Sequence, residues 1–95
     1  MKFTKQEEDL LDQTIAQFGR DQQILKTLEE FSELQKAIIK FELPTNKGSL
    51  LDIKQELADV EIMLKQIKKI FGISEEILNE IKILKLRKLR TIVKK

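Results

Sequence analysis

Residues 29–41, Glu29-Glu30-Phe31-Ser32-Glu33-Leu34-Gln35-Lys36-Ala37-Ile38-Ile39-Lys40-Phe41, set the frame for the whole chain. Their apolar positions Phe31, Leu34, Ala37, Ile38 and Phe41 recur at the helical period and draw one stripe. At roughly 100° per residue, Glu30 falls inside the arc of that stripe and Glu33 at its border, while Glu29 points further out. A second such segment follows after a gap of 22 residues, with Glu56-Leu57-Ala58-Asp59. Ile53, Leu57, Val60, Met63, Leu64, Ile67 and Phe71 make its stripe; Glu56 projects between Met63 and Ile67, and Asp59 sits at the edge. Residues three apart are neighbours on a helix surface, so each segment presents a pair of acids, and both pairs lean towards the core.

That placement demands a counter-charge. Two carboxylates about 5 Å apart repel by about 3 kcal/mol at an effective dielectric near 20, so four converging ones are either partly protonated or gathered around a cation. Oxygen-only ligation suits a hard ion, and a site that leaves room for water and phosphate favours Mg²⁺, with Mn²⁺ the alternative.

Composition narrows the chemistry further. The 95 residues make one small domain, 1–95, with a core that stays thin unless chains associate. Neither Cys nor His occurs, and Tyr is absent too, which excludes disulfide scaffolds, thiolate or imidazole metal sites and Ser-His nucleophiles. Charged residues make up 36% of the chain, yet the net charge is only +2, too balanced to announce nucleic acid. No apolar run reaches the length of a membrane span and the first residues lack a signal-peptide core, so a cytoplasmic protein is expected.

In chain order, Thr4-Lys5-Gln6-Glu7 has the form of a capping box and opens a helix that Gly19 closes near residue 18. Asp21 is the expected cap of a second helix over about 22–42. Pro44, Asn46 and Gly48 mark a connection, and Ser49 caps a third helix over about 50–71. Gly72 ends it, and Ser74 opens a fourth over about 75–93. Nothing alternates with a strand period, so the fold class is all-α, a four-helix bundle-type domain with short antiparallel connections. The fourth helix carries Ile77, Leu78, Ile81, Leu84, Leu89 and Ile92 on its main arc, with Lys85 and Lys88 projecting from within it. Ile83, Leu86 and Val93 lie outside that arc. More of its circumference is apolar than one neighbour can cover, and a homo-oligomer, dimer or tetramer, is the economical expectation.

Glu29-Glu30-x-x-Glu33, the 22-residue gap and Glu56-x-x-Asp59-Val60 together resemble the MazG-like all-α nucleoside triphosphate pyrophosphohydrolases. The likeness covers about residues 20–92, including Gln23 upstream and the Lys- and Arg-bearing last helix. It implies cleavage of a nucleoside triphosphate between the α and β phosphates, giving a nucleoside monophosphate and pyrophosphate. Glu30, Glu33, Glu56 and Asp59 would be the Mg²⁺ ligands, one of them positioning water; Lys85 and Lys88, with Lys82 and Arg90, would bind the phosphates; Gln23 would support the ligands, and Glu29 would either support them or be a surface residue. Two other classes compete. One is a helical interaction or scaffold protein whose acids are inter-helix salt-bridge partners of Lys85 and Lys88. The other is a nucleic-acid binder using Lys82 to Lys95, disfavoured because no aromatic residues interleave with the basic ones.

Overall fold

The computed structural model describes residues 2–43 and 47–93. Four helices follow in order: α1 Lys5–Phe18, α2 Arg20–Glu42, α3 Leu50–Phe71 and α4 Glu75–Val93. No strand occurs among the described residues.

The helix ends follow from local chemistry. Thr4 Oγ1 accepts from the Glu7 amide at 3.1 Å while Glu7 Oε1 accepts from the Thr4 amide at 2.8 Å, completing the capping box. Ser49 and Ser74 accept from Asp52 N–H and Ile77 N–H in the same way. Gly72, at φ 64°, is the left-handed residue that ends α3, and Ile73 N–H closes back on the Lys68 carbonyl at 2.9 Å. The junction of α1 and α2 corrects the expected cap: Gly19, at φ 91° and ψ 155°, both ends α1 and begins α2, and no side chain caps the new helix. Asp21 lies inside α2, where its charge still favours the first turn. Of the expected connection markers, Pro44 and Asn46 lie outside the described residues; Gly48 lies within them.

The longest interface runs between α2 and α3. Glu30 lies opposite Glu56 and Asp59, Thr27 opposite Met63, and the Arg20 guanidinium 5.2 Å from the centre of the Phe71 ring, so the two helices are antiparallel. Helix α1 packs on this pair, held to α3 by Lys69, which pairs with Asp12 at 3.0 Å and Glu8 at 3.3 Å. Burial opposes charge on Lys69, but those two carboxylates outweigh it and hold its pKa above the usual lysine value.

The bundle, however, is a three-helix one. Helix α4 is tied to α3 only near its start, where Lys68 donates to Glu75 at 3.0 Å; beyond that it packs on none of the other helices. Its large apolar side chains Ile77, Ile81, Ile83, Leu84, Leu86, Leu89, Ile92 and Val93 are all exposed. So are Leu50, Leu57, Leu64 and Phe71, spaced seven apart along α3, because that helix turns Val60, Met63 and Gln66 inward instead. Leu11, Ala37 and Val60 are the buried apolar side chains; Gln23, Thr27 and Gln66 are buried beside them. The radius of gyration, 16.4 Å, exceeds the ~12 Å of a compact domain of this length.

Candidate metal centre

The antiparallel seam between α2 and α3 gathers the acids that the sequence phases inward. Oxygens of Glu30, Glu56 and Asp59 all lie within 4.8 Å of one another. Three atoms so spaced can share a centre at about 2.8 Å or less, so a contraction below 1 Å brings them to the about 2.0–2.6 Å of Mg–O and Ca–O bonds. The donor set fits a hard divalent cation, being all carboxylate with no softer atom. Glu30 and Glu56 are half-buried and Asp59 is exposed, matching the phases read from the two stripes. Burial, then the charges of Asp59, Glu30 and Glu33, push the Glu56 carboxyl above its ordinary range.

Glu33 stands apart from this trio. It lies at the border of the arc, exposed, and its carboxylate pairs with Lys36 at 3.7 Å. Its charge still reaches Glu56, so it borders the group. Glu29 is exposed and its nearest cation, Lys26 Nζ, is 4.0 Å away.

Lys26 is the residue at this cluster that the sequence reading passes over. Its Nζ lies 3.1 Å from Glu30 Oε2, and the hydrogen bond to that carboxylate, reinforced by Glu29 and Asp59, raises the lysine pKa. The spacing Lys26-x-x-x-Glu30 is an i, i+4 pair and was visible as such. It reads as an ordinary surface pair until α3 brings Glu56 and Asp59 to the same point.

Next to the acids, past Lys26, a cleft of about 370 Å³ opens along the same seam, lined by Thr14, Phe18, Gln22, Gln23, Lys26, Met63 and Gln66. Gln23, expected near the ligands, is buried in its wall. Thr27 donates its hydroxyl to the Gln23 carbonyl at 2.8 Å and stands 3.7 Å from Met63 Sδ, packing both residues in place.

The basic residues expected to meet phosphate lie elsewhere within the single chain. Lys85, Lys88 and Arg90 are exposed on the free part of α4, and among the described residues no ion pair joins them to the acids. Lys82 lines a second cleft, of about 690 Å³, bounded by the N-terminal residues, α1, α3 and the start of α4, together with Glu8, Lys65, Lys68 and Glu75. No described helix is long and apolar enough to cross a membrane. No family model, no curated protein and no solved structure matches this chain.

Proposed function

We propose that this chain is a Mg²⁺-dependent nucleotide pyrophosphohydrolase, cleaving a ribo- or deoxyribonucleoside triphosphate to its monophosphate and pyrophosphate. The observation that supports it most is the convergence of Glu30, Glu56 and Asp59 from two helices at one end of a cleft. Those three, with Glu33 beside them, would hold the ion, which when bound polarises a phosphoryl oxygen and makes water a better nucleophile. Water attacks the α phosphorus, the bond from that phosphorus to the bridging oxygen breaks, and pyrophosphate leaves. A carboxylate oxygen of the acidic set accepts the proton of the water. Lys26 already stands at the cluster and would exchange its hold on Glu30 for a phosphate oxygen.

Lys85 and Lys88, with Lys82 and Arg90, keep their proposed role on the β and γ phosphates only if α4 meets the acidic seam through another copy of the chain. The surface supports such an assembly. The chain exposes 7792 Å², against about 5,700 Å² for a compact monomer of its mass. The excess, about 2,000 Å² per chain, is of the size that obligate homodimers bury.

Incubating the protein with Mg²⁺ and a panel of nucleoside triphosphates, and identifying both products, tests the activity. Monophosphate and pyrophosphate in equal amounts are expected from wild type and neither from Glu56→Gln; orthophosphate and a diphosphate, or no product, overturn the proposal. One observation favours a helical interaction protein instead: Lys26 already neutralises part of the acidic cluster, as a structural salt bridge would. That reading requires melting temperatures indifferent to Mg²⁺, where the hydrolase requires an increase by mass action.

A further inference from the structure

One side chain belongs both to the acidic cluster and to the cleft beside it. Lys26 Nζ lies 3.1 Å from Glu30 Oε2 and 4.0 Å from Glu29 Oε1, and the same side chain lines the cleft of about 370 Å³. None of Glu30, Glu56 and Asp59 lines that cleft. The Lys26 side chain is 52% exposed and that of Glu30 only 14%. Glu30 is thus the fixed member of the pair and Lys26 the movable one, a compact charge on a flexible four-carbon stem.

The pair sets up a competition. Glu30, Glu56 and Asp59 bring three carboxylates together, and Lys26 offsets one of them. While the ammonium holds Glu30, it occupies a ligand oxygen and opposes the entry of a divalent cation with a like charge. The same contact keeps Lys26 from phosphate, because a phosphate oxygen must draw it off Glu30 against the pull of the acids. Each partner relieves the obstacle to the other: phosphate takes the ammonium from the ligand, and the charge of a cation loosens Lys26 from Glu30.

We propose that Lys26 couples the two binding events, keeping its hold on Glu30 until a divalent cation and a phosphate chain arrive together, and then turning to the phosphate; this rests on the hydrolase reading above. Neither partner binds at full strength alone. The effect is reciprocal by linkage: the factor by which Mg²⁺ tightens phosphate binding equals the factor by which phosphate tightens Mg²⁺ binding.

Titration calorimetry with imidodiphosphate, a pyrophosphate analogue whose P–N–P bridge resists cleavage, reads the coupling without turnover. Its affinity is measured without Mg²⁺ and at saturating free Mg²⁺, and the ratio of the two is the coupling factor. The wild-type factor is expected to exceed those of Lys26→Met and Lys26→Gln by about fivefold or more, and Lys26→Arg, which keeps the charge, should retain most of it. Lys5→Met removes the same charge from an exposed pair with Asp9 on α1 and should leave the factor at its wild-type value. Equal factors in wild type and the neutral Lys26 variants overturn the role of Lys26 and leave the hydrolase reading standing. A Lys5→Met factor that falls as far as that of Lys26→Met does the same, since net charge alone would then account for the change. Failure of wild type to bind imidodiphosphate at any Mg²⁺ concentration removes the coupling; with no turnover of any nucleoside triphosphate as well, the hydrolase reading falls with it.

Discussion

Glu56 gives the sharpest expectations for a single side chain. Its carboxyl is held above the ordinary range by burial and by neighbouring acids, so the folded chain binds that proton more tightly than the unfolded chain does. The stability it contributes is complete below the unfolded pKa and is lost as pH rises through the folded one. Near neutral pH without divalent ions, Glu56→Gln should therefore melt above wild type, and its melting temperature should fall less than that of wild type between pH 4 and neutrality. Adding Mg²⁺ should raise wild type and leave the variant nearly unmoved; a wild type indifferent to Mg²⁺ in this assay counts against the metal centre. Lys26 carries the complementary prediction. Removing its charge in Lys26→Met leaves Glu30 without its 3.1 Å partner and spares an incoming cation the repulsion of an ammonium group. Mg²⁺ binding by titration calorimetry should tighten severalfold, while KM for the nucleotide rises. The acids themselves were readable from sequence because helical phase fixes direction. Depth is another matter: Glu33 differs from Glu30 by less than one turn yet is exposed, and Gln66, polar and outside the apolar stripe of α3, is among the most buried side chains.

Among the elements, helix boundaries were the most legible feature, since a cap is local chemistry confined to four residues. Thr4 with Glu7, Ser49 with Asp52 and Ser74 with Ile77 form the expected hydrogen bonds. Asp21 misled because the joint it was meant to cap is a single residue wide; Gly19 alone turns the chain, at φ 91° and ψ 155°, a region that residues with a Cβ rarely enter. Space is not the obstacle there, since an added Cβ meets nothing within 4 Å. Gly19→Ala should cost about 1–3 kcal/mol of stability from backbone strain alone. Ser49→Ala, which removes a cap and introduces no strain, should cost about 1 kcal/mol. Denaturant titration of both variants checks the order. A loss at Ser49 larger than at Gly19 would mean that the α1–α2 joint relaxes instead of holding its geometry.

At the scale of the molecule, the amphipathic stripes promised more core than a single chain contains. Helical periodicity reports which face is apolar without saying whether a neighbour in the same chain or another copy covers it, and α4 shows the difference: its stripe is as regular as that of α3, yet no side chain on it is buried. The exposed positions Leu50, Leu57, Leu64 and Phe71 fall one per heptad and so run along one face of α3. A second copy would offer the same row, and an isologous two-fold contact would cover both at once. Leu57 and Leu64 sit at the centre of that row and are the residues to alter. Leu57→Lys with Leu64→Lys places two ammonium groups per chain against the symmetry-related pair. Wild type should sediment at twice the chain mass, with a melting temperature that rises with protein concentration. The double variant should sediment as a monomer, melt lower and show no concentration dependence. Because both leucines were exposed in the single chain, the substitutions remove little intrachain packing, so the drop in melting temperature measures the lost association. A monomeric wild type with a concentration-independent transition would mean instead that α4 and the heptad row stay solvated, and Lys85 and Lys88 would then have no route to the acids.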